Sequence, residues 1–339
     1  MVIQECIRSL ADGAGVTGEQ VAGAMEEIMG GHATPAQIGG FLTGLRMHGE
    51  TAEVVAAASK VMQAHAEPIA VADVIDICGT GGDGIDTFNV STAAGFVVAG
   101  AGVRVAKHGN RAASSKAGSA DLLEALGARI DIGGEQVARV IEGCGFGFLF
   151  AQRFHPAMRH VGGPRRELGI RTVFNLLGPL TNPANPKGQL AGVGAASLGP
   201  LMAGAFALRG MERAMVVHSS DGLDEISPAT ATKAWIVEDG EVRERVISPA
   251  DFGVAAHELD EVAGGDAAEN AATLRLVLGG KPGAMADFVV INAGAALYVA
   301  GVADDFDTGA EMARDSISSG KAKDVMERYV ALTNEVAGG

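Results

Sequence analysis

The buried-strand pattern Val74-Ile75-Asp76-Ile77-Cys78 runs directly into Gly79-Thr80-Gly81-Gly82-Asp83-Gly84, and a small-residue helical segment, Ala93 to Ala99, follows. A further strand pattern, Val103 to Ala106, comes next. Strands joined through a helix are joined in parallel, because only a long crossover returns the chain to the same end of a sheet. A second unit repeats the order, with helices over Ala120 to Leu126 and Glu135 to Glu142 and strands over Phe146 to Phe150 and Ala214 to His218. The longest uncharged run, Gly188 to Leu208, has the length of a membrane helix but contains Pro200 and several glycines, so it reads as a buried βα unit. Trp235 to Val242 carries the hairpin signal Asp239-Gly240. Amphipathic patterns over Asn270 to Leu278, Gly309 to Ile317 and Lys321 to Val330 close the chain. The expected fold is α/β, with a mostly parallel central sheet, helices on both faces and a ligand site at the carboxyl ends of the strands.

Ahead of this alternation, residues 1–65 read as four short helices. Thr17 with Gln20 forms a capping box, Thr34-Pro35 places an N-cap before a first-turn proline, and Thr51 opens the fourth helix. Ile38, Phe41, Leu42 and Leu45 form an apolar stripe of the kind that usually is core; four short helices leave apolar surface over, so part of the stripe reads equally as a subunit interface, and a homodimer through this domain is the expectation. Ala66-Glu67-Pro68 ends the helical period.

The glycine stretch formally matches the dinucleotide fingerprint, but that motif also needs a helix starting within the loop and an acid about 20 residues on. Here the second strand ends in Lys107-His108, and no acidic residue occurs between Asp86 and Asp121. A nicotinamide enzyme is therefore disfavoured, and without Gly-Lys-Ser/Thr so is a Walker loop. Beyond the glycines, Asp86-Thr87-Phe88-Asn89-Val90-Ser91-Thr92 stands at a helix entrance, with Asn89 or Ser91 as the expected cap. Glycines beside unpaired helix N–H groups suit a phosphate or pyrophosphate. The next strand leads into Lys107-His108-Gly109-Asn110-Arg111-Ala112-Ala113-Ser114-Ser115-Lys116, again cations, hydroxyls and glycine, and Ser119 is the expected cap of the helix beyond.

Charge supports a confined anion site. The chain of 339 residues carries 26 Lys+Arg and 41 Asp+Glu, a net −15, which argues against broad nucleic-acid or membrane-surface binding. Yet two stretches, between Asp86 and Asp121 and from Gly143 to Met211, hold 11 of the basic residues and one acid, a local +10 that leaves −25 elsewhere. Cys6, Cys78 and Cys144 form no CxxC pair and no even set, which points away from disulfides and zinc and towards a reducing, cytoplasmic setting. The amino terminus shows no secretory pattern.

Taken in order, Gly-Thr-Gly-Gly-Asp, Asn-Val-Ser-Thr, Lys-His-Gly-Asn-Arg, Gly-Ser-Ala-Asp, Arg-Arg-Glu-Leu-Gly-Ile-Arg-Thr, Asn-Leu-Leu-Gly-Pro-Leu-Thr-Asn-Pro and Asp-Gly-Leu-Asp-Glu-Ile make the chain closely resemble the anthranilate phosphoribosyltransferase family over almost its whole length. The resemblance implies a nucleoside phosphorylase/phosphoribosyltransferase-like fold. A helical domain of residues 1–66, completed by about 163–184, would join an α/β domain of residues 67–162 and 185–339. It implies transfer of a phosphoribosyl group from 5-phosphoribosyl 1-pyrophosphate (PRPP) to the amine of anthranilate, the second step of tryptophan biosynthesis from chorismate. Both substrates are thus the expected partners. On the family's pattern PRPP falls to Gly79, Gly82, Asp83, Thr87, Asn89, Val90, Ser91, Thr92, Ser119 and the run Lys107, His108, Gly109, Asn110, Arg111, Ala112, Ala113, Ser114 and Ser115. Lys107 is the main cation at the leaving group, and anthranilate falls to Gly79, Asn110 and Arg165. Arg166 and Arg171 fall on a helix face or hinge. Asp224 and Glu225 with the Ser91 hydroxyl are the implied Mg2+ ligands, for two ions. His108 is the candidate proton acceptor beside the amine. A pyrimidine nucleoside phosphorylase would need neither the acidic pair nor Arg165, and a nucleic-acid-binding relative would need a basic face that an acidic chain lacks.

Overall fold

The computed structural model describes residues 1–112 and 116–338; the expected ligand residues Ala113, Ser114 and Ser115 lie outside them. The chain opens with α1 (Val2–Ala11), α2 (Gly18–Met29), α3 (Pro35–His48) and α4 (Ala52–Ala64). Thr17 and Gln20 cap one another, as do Thr34 and Gln37, and Thr51 accepts from Val54 N–H. The alternating part follows as β1 (Val74–Gly79), α5 (Val90–Gly100), β2 (Arg104–Gly109), α6 (Ser119–Ala125), α7 (Gly134–Cys144) and β3 (Phe146–Phe150). Short helices α8 (Ala151–Phe154), α9 (Arg159–Leu168) and α10 (Phe174–Leu177) then lead to β4 (Gly188–Gly192), α11 (Gly199–Leu208) and β5 (Arg213–Ser219). The run Gly188 to Leu208 is therefore a βα unit. No helix among the described residues is long and apolar enough to cross a membrane.

The hairpin β6 (Thr232–Glu238) and β7 (Glu241–Ile247) turns at Asp239 and Gly240, both at positive φ, and adds two antiparallel strands at one edge. The seven strands lie in the order β3-β2-β1-β4-β5-β6-β7, the first five parallel. From β1 the chain winds outward through β2 and β3, then returns to the other side of β1 as β4. The direction of winding reverses between β1 and β4, and a crevice forms outside their carboxyl ends.

Four helices close the chain: α12 (Ala267–Leu278), α13 (Ala284–Val299), α14 (Phe306–Ser318) and α15 (Lys321–Gly338). Of these α13 escapes the amphipathic reading, because it is buried on nearly every side and so has no polar face to give it a period. One apolar cluster joins α5, α7 and α12 to α15 to one side of the sheet. A second joins the N-terminal helices to Val161, Phe174 and Leu177, and continues through α11 to Ala191, Val216 and Trp235 on the sheet.

The deepest polar group of α13 is Asn292, fully buried. Its Oδ1 accepts Ile226 N–H at 3.1 Å, and its Nδ2 donates to the Ile226 and Phe288 carbonyls, each at 3.0 Å. Asn292 thereby holds both backbone groups of the residue after Asp224-Glu225. In Asn292→Ala those two buried groups lose their partner, at roughly 1–3 kcal/mol each. Thermal unfolding should fall by several degrees, and an unchanged Tm would contradict this anchoring role.

Candidate active site

At the mouth of the crevice, Gly79 of β1 pairs with Gly192 of β4, and the loop carrying Asp224 crosses above them. A Cβ at Gly79 would lie 2.3 Å from Asp224 Oδ2, and one at Gly192 would lie 1.4 Å from the Asp224 carbonyl oxygen. Only glycine admits the loop at this height. Asp224 Oδ2 in turn accepts Gly81 N–H at 2.8 Å, which joins the acidic loop to the glycine loop. Asp83, Asp224 and Glu225 act on one another electrostatically. Burial, then the Asp83 charge, raises the Asp224 carboxyl; burial, then Asp224, raises that of Glu225, against an opposing pull from Lys107.

Lys107 is 2% exposed at the inner end of this crevice. Its Nζ donates to the Ile77 carbonyl and, at 3.0 Å, to Ser91 Oγ at the start of α5. Beneath it lies Asp76, fully buried, whose carboxyl is raised by burial and held back by the Lys107 charge. Asp76 accepts His108 N–H at 3.1 Å and Asn182 Nδ2 at 2.9 Å. Neither Asp76 nor Asn182 is among the site residues expected from the sequence. The available signal was a carboxylate inside the apolar strand Val74 to Cys78, a position that needs a partner.

The loop ends differ from expectation in two places. Asn89 precedes α5 but does not cap it: its Nδ2 donates to the Ala117 carbonyl and its Oδ1 accepts from Asn270 Nδ2, both at 2.9 Å. Asn89 thus ties the α5 entrance to the loop after β2 and to α12. Ser119 is the first residue of α6, not its cap; Gly118 occupies that position, and the Asp121 carboxylate accepts the Gly118 and Ala112 N–H groups. Ser119 Oγ donates instead to the Asn110 carbonyl at 3.2 Å. Thr92 is fully buried in the first turn of α5 with an unpartnered hydroxyl, and Thr87 bridges to Ala263. Val90 is buried beside them.

Among the cations, Arg111 is drawn away from the crevice, since its guanidinium pairs with Asp121 at 3.0 Å and with Glu124. Asn110 is exposed and its Oδ1 accepts Arg111 N–H and Gln152 Nε2. Gly109 packs where a Cβ would meet Ser119 Oγ at 2.4 Å. Arg165 lies in the last turn of α9 over the Phe174 ring at 5.5 Å; burial lowers its pKa, and among the described residues it forms no ion pair. Arg171 reaches Gly82: its Nη1 lies 3.4 Å from where a Cβ would be built there. The hinge position assigned to it therefore also faces the glycine loop.

His108 is not a poised proton acceptor. It is 6% exposed, and burial, then the neighbouring His155, lowers its pKa to about 3. Its Nδ1 lies 3.1 Å from the Gly178 carbonyl, which can only accept, so Nδ1 carries the proton and Nε2 is left to accept from His155 Nε2 at 3.1 Å. So weak a base holds a proton poorly at neutral pH, and the ring instead joins β2 to the segment around Gly178.

Burial likewise lowers His155 to about 4. Both rings lie below the ordinary 6.5, so the unfolded chain binds more protons, and stability present above pH 6.5 is lost as pH falls towards 3. At pH 5 each ring accounts for roughly 2 kcal/mol of that loss. Urea unfolding of His155→Asn between pH 7 and 5 should show a shallower decline than the parent; equal slopes would exclude His155 as a source of it.

The crevice lies on a chain with known relatives. The Glycosyl transferase family, helical bundle domain, matches residues 4–66, and the Glycosyl transferase family, a/b domain, matches residues 71–323. An anthranilate phosphoribosyltransferase of Acetivibrio thermocellus is 48% identical over 98% of this chain and 97% of its own. Among solved structures, the anthranilate phosphoribosyltransferase of Thermus thermophilus superposes with a TM-score of 0.92 at 42% identity, over 97% of this chain and 99% of that one. The Saccharomyces cerevisiae enzyme in complex with PRPP and Mg superposes with a TM-score of 0.90 at 30% identity, over 98% of each.

Proposed function

Because this chain belongs to the anthranilate phosphoribosyltransferase family, we propose that the crevice between β1 and β4 is where it performs that family's reaction. The reaction transfers the phosphoribosyl group of PRPP to the amine of anthranilate, giving N-(5-phosphoribosyl)anthranilate and pyrophosphate. The observation that carries the residue assignment is the meeting, at one pair of strand ends, of a glycine loop, a buried lysine and three carboxylates with too little opposing charge.

PRPP takes the glycine loop and the α5 entrance: Gly79, Gly82, Asp83, Thr87, Asn89, Val90, Ser91 and Thr92. The orphaned Thr92 hydroxyl and the uncapped start of α5 support a phosphate there. Lys107, His108, Gly109, Asn110, Ala112 and Ser119 line the second wall, and Arg111 contributes through its backbone. Lys107 stabilises the departing pyrophosphate. Displacement at C1 of the ribose passes through an oxocarbenium-like state, so these residues serve to fix charge and to hold the amine in line. A separate base is unnecessary, since an arylamine becomes strongly acidic once it has attacked.

Asp224 and Glu225, with Ser91, hold Mg2+, for which two ions are proposed. Acids raised by burial first and by neighbouring carboxylates second suit a hard cation. Among the described residues no three His, Cys, Asp or Glu are arranged to bind an ion by themselves, as expected where phosphate oxygens and water complete the shell. Bound there, Mg2+ supplies charge neutralisation to the pyrophosphate. Anthranilate's carboxylate meets Arg165, with Asn110 and Gly79 beside it; a desolvated guanidinium that has no ion pair among the described residues favours that role.

The domain division stands as a proposal at residues 66 and 67, with 163–184 on the helical side, supported by Phe174 and Leu177 packing with the N-terminal helices; Val161, which this division leaves in the α/β domain, packs with them as well, so the helical side begins earlier, within α9. The stripe Ile38, Phe41, Leu42 and Leu45 is buried within the helical cluster and so is core, not an interface; a homodimer through the helical domain keeps only the exposed Met1 and Met47 as support, and a cytoplasmic setting the three free, buried cysteines.

Mixing the protein with anthranilate, PRPP and Mg2+ should consume anthranilate fluorescence, and EDTA should stop it. Turnover of thymidine and phosphate in its place would overturn the reading. Arg165→Ala should raise KM for anthranilate by about 10- to 100-fold, the loss of a charged hydrogen bond, with KM for PRPP little changed. The reverse pattern would remove Arg165 from the anthranilate site.

A further inference from the structure

A cavity of about 260 Å³ lies between α4, the segment before β4 and the end of α11. Its residues Lys187, Gly210 and Met211 flank the amino ends of β4 and β5, at the opposite end of the strands from Gly79 and Gly192. A wider recess of about 590 Å³ shares Lys187, Gly210, Met211 and Glu212 with it. The volume is just below the roughly 300–1,000 Å³ usual for ligand pockets, so it fits a small molecule.

Arg209 gives this cavity its chemistry. Its guanidinium donates to Ser59 Oγ at 2.9 Å and to Gln63 Oε1, both neutral groups. These use two of five N–H donors. Among the described residues Arg209 forms no ion pair, and desolvation alone lowers its pKa. Arg165 shows the same combination. Gln189, 1% exposed, also borders the cavity, but its orphaned Oε1 is a buried acceptor and gives a carboxylate nothing to bind, so anion selectivity there rests on Arg209.

We propose that this cavity is a second ligand site, which takes a small monocarboxylate with an apolar body. The carboxylate meets the Arg209 fork, and the body lies against Phe206, Leu180 and Met211. A phosphate dianion fits less well: Lys187 is paired with Asp73 at 3.5 Å, and the exposed Glu212 lies on the rim. Gln63 donates to the Asn182 carbonyl at 2.6 Å and to Asn185 Oδ1 at 2.8 Å, so an occupant touches a junction between α4 and the chain leading to β4.

Benzoate is a suitable probe, with the full-length Arg165→Ala protein as background so that, among the described residues, Arg209 is the remaining desolvated guanidinium without an ion pair. Saturation-transfer NMR and calorimetry should show benzoate binding, and its neutral isostere benzamide should bind about tenfold more weakly or not at all. Adding Arg209→Gln should weaken benzoate by about tenfold or more. Met211→Trp, which fills the cavity from its rim and leaves Arg209 in place, should block it. Equal binding of benzoate and benzamide, no benzoate binding, or unchanged affinity in folded Arg209→Gln overturns the proposal. Should Arg209→Gln fail to fold, unchanged affinity in Met211→Trp overturns it. The anthranilate assay reads the other site and is independent of this result.

Discussion

The loop bearing Asp224 can approach the sheet only because two facing strand ends lack side chains. Gly79 and Gly192 are register partners on β1 and β4, and a methyl at Gly192 would overlap the Asp224 carbonyl. Any larger residue at that position must lift the loop, and with it the carboxylates. The loop is held from the other side by Asn292, on a helix whose burial leaves it little freedom to shift. Close backbone packing below and a buried amide above thus fix two acids at the point where the sheet's winding reverses. Their mutual repulsion is a standing cost that a cation relieves.

A polar layer beneath the crevice carries the opposing charge. Asp76 lies under Lys107, and Asn182 donates both to Asp76 and, at 2.7 Å, to the Ala106 carbonyl. Gln189 Nε2 donates to the Pro179 carbonyl at 2.6 Å. His108 and His155 extend the same layer to Gly178. The buried ammonium therefore faces Asp76 from below and Glu225 from the crevice, and its charge holds back the rise that burial imposes on both carboxyls. The same groups tie the chain around 178–189 to β1 and β2, so the segment leading into β4 is held by hydrogen bonds to the charged core of the site.

Much of this architecture was legible where periodicity and turn chemistry are local. The strands at β1, β2, β3 and β5, the hairpin at Asp239-Gly240 and the caps Thr17, Thr34 and Thr51 all follow from short patterns. Helix α13 was invisible for a physical reason, since burial on all sides erases the polar stripe that marks a helix in sequence. Asn89 and Ser119 are residue types that cap helices, but here distant groups, Asn270 and the carbonyls of Ala117 and Asn110, claim their side chains. Composition likewise cannot tell a titrating histidine from one locked between a carbonyl and a second ring, as His108 is.

The segregation of charge needs the same correction. The two acid-poor stretches contain many cations, but acids elsewhere in the fold neutralise several of them. Arg111 pairs with Asp121 and Glu124, Arg153 with Glu67 and Lys187 with Asp73. Arg165 and Arg209 stay desolvated without such a partner among the described residues, and Lys107 is buried between two acids of the site. Local charge balance in the sequence therefore overstates the anion-binding surface. What selects an anion site is a cation taken from water whose compensation the fold withholds, because an incoming anion then regains what burial has cost. By that criterion Arg209 resembles Arg165 more closely than does Arg111, itself one of the expected PRPP residues.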